Sequence, residues 1–486
     1  MTETRLTGPM ERGANESTDL ADLTATELVQ GYAAGEFTPV DAAEAALARI
    51  AERDGDLNAF VLVDRESAMA SAEASTERWR SGQTLGSTDG VPTNIKDIFL
   101  TSEWPTLRGS NLIDEHGTWD VDAPCVARLR ESGAVLLGKV TTPEFAWKGT
   151  TDSIRFGATG NPWDPSTTAG GSSGGSSAAV GAGMGAWSVG TDAGGSVRIP
   201  AAFTGTVALK PTYGLVPMFP ASPFGTLAHA GPMTRSVTDT AMMMDIISRF
   251  DARDWSALPT PAGSFMDGLE DGIEGLRIAY SPTLGYGENT PEVDRLTREA
   301  VDVLKSLGAE VDEVDPGFQD PVDHFHVLWF TGAAKVVAAY GPQALEKVDP
   351  GLRAGIEEYA DSTALDFLDA TQVRMDLGVH MGAFHQEYDL LVTPTMPITA
   401  FDRNRQAPPG WKSELWTSWT PYTYPFNMTQ QPAASVPSGV SADDGLPVGL
   451  QIVAARNQDR LVLRAARAYE KAAGEAFIRP APGRAG

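Results

Sequence analysis

An α/β fold built as one compound domain is predicted for this chain by three observations. Short apolar runs alternate with helical segments. The stretch 276–314 reads strand, helix, strand, and neither an internal repeat nor a long linker divides the chain. Its 486 residues would suit two or three domains of about 100–200 residues, but large α/β domains also reach this length.

Residues 1–20 are polar and read as a disordered tail without the apolar run of a signal peptide. Thr24 with Glu27 makes a capping box, in which hydroxyl and carboxylate satisfy free backbone N–H groups at a helix start. Thr38 followed by Pro39 opens a second helix, with Val40, Ala43, Ala46, Leu47 and Ile50 on its apolar face. Residues 90–98 are apolar and strand-like around Lys96, and 134–140 read as a buried strand. The small residues 178–182 suit a tightly packed helix. Residues 250–390 are richer in helical periodicity and charge, and read as a cap or flank on the core. Within them 276–280 reads as a strand, Thr290-Pro291 opens a helix running to Leu307, Gly308 stops it, and 309–314 return as a strand. Residues 479–486 form a C-terminal tail.

Acidic residues number 64 against 37 basic, a net charge of −27 that argues against nucleic acid or an anionic membrane as partner. No run of about 18 apolar residues suggests a membrane span. The single cysteine, Cys125, excludes an intrachain disulfide and a cysteine-based metal cluster, and cytoplasm is the expected compartment.

The unusual chemistry lies between residues 160 and 200. Gly170-Gly171-Ser172-Ser173-Gly174-Gly175-Ser176-Ser177 would ordinarily read as a flexible linker. Here it leads into the small-residue helix, then into Gly190-Thr191-Asp192-Ala193-Gly194-Gly195-Ser196-Val197-Arg198, which a linker has no reason to carry. Glycines let backbone approach a substrate closely, and consecutive amides from Ala193 to Ser196 can form a nest for a developing oxyanion. Ser196 at the end of that nest is the candidate nucleophile, and a serine needs a base. None of the six histidines sits in a recognisable catalytic setting. A lysine held neutral by burial is the alternative, and Lys96 is the candidate.

These segments closely resemble the amidase signature family, including the 24-residue spacing between Ser172 and Ser196. Ile95-Lys96-Asp97, Gly133 to Lys139, Leu209-Lys210-Pro211-Thr212-Tyr213-Gly214, Gly231 to Asp239, Pro425-Phe426-Asn427 and Gly445 to Gln451 extend the likeness over about residues 22–472. The resemblance implies a mixed central sheet flanked by helices, with residues 21–478 as the amidase domain. It implies Ser196 as nucleophile, Ser172 after a cis peptide bond as proton relay, and Lys96 as base. It also implies an oxyanion hole from the amides of Ala193, Gly194, Gly195 and Ser196, with Ser173, Asp192 and Arg198 in support. No cofactor or metal is called for. The expected partner is a small amide or carbamate, and the expected assembly a monomer or homodimer.

The resemblance places Phe145, Ala146 and Trp147 on the acyl pocket. With Met218, Phe219 and Phe224 they suggest an apolar or aryl amide. Relatives with a similar segment include aryl acylamidases and carbamate-cleaving urethanases, with ester hydrolysis as a side activity. Other relatives are glutaminase subunits of tRNA-dependent amidotransferases, whose serine-rich segment the residues from Met218 to Gly225 do not resemble. Two overlapping Gly-x-Ser-x-Gly matches at 170–175 lack a supported late histidine. The near match to a phosphate-binding loop at Gly133–Lys139 carries Val140 where Ser or Thr is required.

Overall fold

A computed structural model of the protein describes residues 19–477. Residues 1–18 of the expected tail of residues 1–20 lie outside the described residues. Asp19 caps a short 3₁₀ turn, Leu20–Asp22, and its carboxylate meets Arg49 at 2.7 Å. The expected tail at 479–486 lies outside the described residues.

The strands are β1 (Phe60–Val63), β2 (Pro92–Lys96), β3 (Val135–Val140), a two-strand hairpin of β4 (Asp152–Ser153) and β5 (Gly157–Ala158), then β6 (Trp187–Asp192), β7 (Val207–Lys210), β8 (His229–Thr234), β9 (Arg277–Tyr280), β10 (Glu310–Glu313), β11 (Leu390–Pro394), β12 (Ala433–Val440) and β13 (Pro447–Ala454). All except the hairpin join one 11-stranded sheet, ordered β1-β3-β2-β6-β8-β7-β12-β13-β11-β9-β10. Its two ends contain parallel pairs, β2 with β3 and β6, and β9 with β10 and β11. The centre is antiparallel from β6 through to β11. The sheet is mixed, as expected.

Strand side chains alternate between faces, and the core follows that period of two. Ile278, Leu390, Val392, Leu450 and Ile452 pack into one cluster together with the helices Ala25–Ala34, Val237–Ile247 and Asp459–Ala472. Their neighbours Ala279, Leu391 and Val453 pack on the other face, under the helices Val322–Ala338, Pro350–Glu358 and Ala364–Glu387. Nearer β1 and β3 that second face is covered by the helix Pro39–Leu57, through Ala43, Ala46, Leu47 and Ile50, and by Gly174–Gly181. Burying both faces removes a large apolar area from water, which is the main favourable term in folding.

The helix starts follow the sequence signals. Thr24 and Glu27 form the capping box of Ala25–Ala34, and Thr38 caps Pro39–Leu57. The segment 250–390 is a flank that also extends the sheet, since β9 and β10 and the helix Pro291–Ser306 belong to it. The Gly133–Lys139 segment is the buried strand β3 with the glycine turn before it, so no phosphate loop exists there.

Candidate active site

Lys96 is the last residue of β2 and is fully buried. Ile95 beside it points into the opposite face's core, so the strand period directs the lysine toward the Gly/Ser loop. Its Nζ lies 2.8 Å from Ser172 Oγ, 2.9 Å from Ser173 Oγ and 2.8 Å from Thr191 Oγ1. Among the described residues no carboxylate contacts it. Burial drives its pKa well below the ordinary lysine value, and the field of Asp192 opposes this only in part.

The Gly171–Ser172 peptide is cis, as expected. Immediately afterwards the chain enters the helix Gly174–Gly181, every residue of which is buried. Ser173 ties the two signature segments together: its amide donates to Ser196 O at 3.1 Å, and its hydroxyl donates to Thr191 O at 3.1 Å.

The second segment turns on Asp192. Its carboxylate accepts from Arg198 Nε and Nη2, both at 2.9 Å, from the Gly195 amide at 2.8 Å, from the Val197 amide at 3.2 Å and from Asn427 Nδ2 at 2.8 Å. Burial alone would raise its pKa, but the Arg198 charge and these hydrogen bonds outweigh it and hold the carboxyl well below the usual range. Arg198 is satisfied in turn by Asn427 Oδ1, Gln451 Oε1 and the Thr423 carbonyl. Gly195 has φ +128°, and a Cβ there would stand 2.4 Å from Thr423 Oγ1, so only glycine fits this turn. The Gly195 amide, expected among the oxyanion donors, is committed to Asp192. The amides of Ala193, Gly194 and Ser196 have no such partner among the described residues.

Ser196 is 5% exposed and faces a cavity of about 120 Å³ that Ser172, Thr191 and Ala193 also line. Its walls include Phe145, Ala146, Met218, Phe219 and Phe224, all expected, with Ile98, Phe99, Arg108, Trp329 and Val336 in addition. Trp147 is a correction: it does not line the cavity. Its ring packs beneath Gly351 and beside Lys148, while its carbonyl accepts from Trp329 Nε1 at 3.1 Å. The left-handed turn at Phe145 and Ala146 (φ 51° and 60°) separates their side chains from it. Among the described residues no histidine lines the cavity. His229 is buried behind Asp192, with Nδ1 2.7 Å from Leu227 O, and burial pushes its pKa well down.

Sequence reasoning missed Thr191 as the third hydroxyl on Lys96, although it stands beside Asp192 in the motif. Asn427 and Gln451 entered only as ends of segments that extend the likeness, and the structure puts both on Arg198. For Trp329, 133 residues after Ser196 in the chain, no sequence signal existed.

A family model described as Amidase matches residues 41–463. The chain belongs to the amidase signature family. This family consists of hydrolases acting on amide C–N bonds, and the chain is an amidohydrolase of that kind. It is 37% identical over 468 residues to an acylamidase of Rhodococcus erythropolis, covering 94% of this chain and 97% of that one. It is 36% identical to a glutamyl-tRNA(Gln) amidotransferase subunit of Myxococcus xanthus, covering 95% and 99%. In structure it is similar to a bacterial aryl acylamidase of the family, with TM-score 0.88, 29% identity and coverage of 95% and 99%. Among the described residues no helix is long and apolar enough to cross a membrane.

Proposed function

We propose that the protein is an acylamidase that cleaves small apolar or aryl amides through a seryl acyl-enzyme. The observation that carries this is Lys96, buried among three hydroxyls with no carboxylate of the described residues in contact; two of the three, on Ser172 and Thr191, belong to residues lining the same cavity as Ser196. A neutral amine donates two hydrogen bonds and accepts one, so its lone pair is available to one hydroxyl proton.

In this reading Ser196 Oγ attacks the carbonyl carbon while its proton passes to Ser172 Oγ, whose own proton moves to Lys96 Nζ. The negative charge on the carbonyl oxygen falls on the amides of Ala193, Gly194 and Ser196. Ser172 then gives a proton to the leaving nitrogen and is reprotonated by Lys96, and the C–N bond breaks. Water attacks the acyl-enzyme by the same relay in reverse and frees the acid. Asp192 and Arg198 fix the turn. Ser173 and Thr191 hold the lysine. The aromatic walls favour an aryl or apolar substituent. A carbamate presents the same carbonyl with an alkoxy neighbour, and an ester offers an easier leaving group, so both are expected as secondary substrates.

The amidotransferase relatives favour a second reading, a glutaminase subunit working with partner proteins. One assay separates the two: acetanilide, an aliphatic amide, an aryl carbamate and glutamine offered to the purified chain, with Ser196→Ala in parallel. Anilide turnover by the chain alone is expected, with loss of about 10³-fold or more in Ser196→Ala. Full activity in that variant would remove Ser196 from its role. Glutamine cleavage only in the presence of a partner would favour the second reading.

A further inference from the structure

One wall residue is chemically unlike the others. Arg108 lines the cavity beside Phe99, Phe145 and Phe219, within the same space as Ser172 and Ser196. Its guanidinium makes no hydrogen bond or ion pair with any described residue, and its Nε is buried without a partner. Arg128 also keeps an Nε without a hydrogen bond, but it donates through another nitrogen to Glu131, and the Arg130 Nε lies 3.1 Å from the Asp122 carboxylate. In a chain with 64 acidic residues, an arginine left without one is conspicuous. Of the Asp97 carboxylate, Oδ1 meets Lys139 at 3.4 Å and the Leu107 amide, while Oδ2 is buried without a hydrogen-bond partner, so neither oxygen pairs with Arg108.

The backbone holds Arg108 in place independently of its side chain. Its amide donates to Asp97 O at 3.1 Å, one residue after Lys96, and its carbonyl accepts from the Phe145 amide at 2.8 Å. It occupies the left-handed region, φ 52°, and Gly109 follows at φ +63°, where a Cβ would strike Thr142 O at 2.7 Å. A non-glycine residue is rarely kept there without cause. The turn thus links the lysine strand to the Phe145 turn and leaves a planar cation without a counter-ion on an otherwise apolar wall.

We infer that Arg108 reads a carboxylate on the substrate, so that the preferred amides combine an apolar or aryl body with one acidic group. This rests on the amidase reading and narrows it. A guanidinium offers a carboxylate two parallel donors, and the low-polarity walls strengthen the pair. A site built to pair a substrate charge discriminates strongly against the analogue that lacks it, because the site's own charge is then left unpaired.

The test compares matched pairs: succinanilic acid against butyranilide, with the acid on the acyl side, and 4-acetamidobenzoate against acetanilide, with the acid on the amine side. In the wild type, one acid is expected to exceed its neutral partner in kcat/KM by about tenfold or more, and Arg108→Met to lower that ratio by a similar factor. Arg108→Lys should retain part of it. Binding of the same pairs to Ser196→Ala by calorimetry gives the preference without turnover. That measurement also stands if Arg108→Met does not fold. A neutral preference in both pairs, or an equal loss on both members in Arg108→Met, overturns the inference. Failure of the amidase reading looks different: neither member of either pair is hydrolysed, while the binding preference is still measured.

Discussion

Lys96 is surrounded by hydroxyls that can bind it in either protonation state, so burial, not hydrogen bonding, decides its charge. A lysine whose folded pKa is depressed binds fewer protons folded than unfolded, and stability then rises with pH until the unfolded-state pKa is passed. The window runs from the lowered pKa of Lys96 up to its ordinary value of 10.5. Lys96→Met removes this linkage and leaves the other buried lysines, Lys139 and Lys210, common to both proteins. Wild type is therefore expected to gain stability relative to Lys96→Met as pH rises from neutral to about 10, by about 1.4 kcal/mol per pH unit at most. Urea denaturation at several pH values measures this, and a constant gap would mean the lysine is charged in the folded protein. The same residue shows what was legible at this scale. Its strand context and the two serine motifs were readable because a Gly/Ser run leading into a packed helix and a second glycine pair is not what a linker carries. Thr191 escaped because a threonine in a strand is an ordinary residue until a lysine is seen to reach it.

The turn from β6 into the helix Arg198–Thr204 is the element that aims the site. Asp192 gathers two amides, an arginine and Asn427, so the peptide between Ala193 and Ser196 has little freedom left. Gly195→Ala meets two obstacles at once, the φ of +128° and the Thr423 hydroxyl 2.4 Å from the new Cβ. Relief of one leaves the other. The variant is expected to lose about 10²–10³-fold in kcat, comparable to deleting an oxyanion donor, with its far-UV circular dichroism little changed. Activity within a few-fold of wild type would show that the turn tolerates a different path. Elements of this kind were legible where local chemistry writes them: the capping box at Thr24, the proline after Thr38, the small-residue helix behind Ser173. Strand order was not. That β7 pairs with β12, more than 200 residues later, depends on which face each strand buries, and no local signal encodes it.

Across the whole molecule, the cavity is assembled from parts of the chain that meet only in the fold. The Gly/Ser loop supplies Ser172, β6 supplies Thr191, and the turn after β6 supplies Ala193 and Ser196; the turn at Phe145 forms one wall, and residues 218–224 another. Trp329, from the helix Val322–Ala338 of the flank, closes it. Apolar walls were foreseen at Phe145, Met218, Phe219 and Phe224 because the resemblance puts the Phe145 segment on the acyl pocket and the others follow the motif's glycine turn, whereas the flank's approach through Trp329 is a tertiary fact. Trp147 was misplaced because adjacency in sequence says nothing about which side of a left-handed turn a ring leaves. Trp329 stacks on Phe224 with ring centroids 4.3 Å apart, and its indole nitrogen is pinned to the Trp147 carbonyl. Both contacts hold the flank against the loop, so Trp329 limits the cavity's size as well as its polarity. Trp329→Ala removes a buried indole, which typically costs about 3–5 kcal/mol, and opens space beside Ser196. Specificity should then shift toward larger aryl groups: kcat/KM for acetanilide falls while that for a naphthyl amide falls less or rises. A ratio unchanged by the substitution would mean that the flank supports the cavity without setting its size.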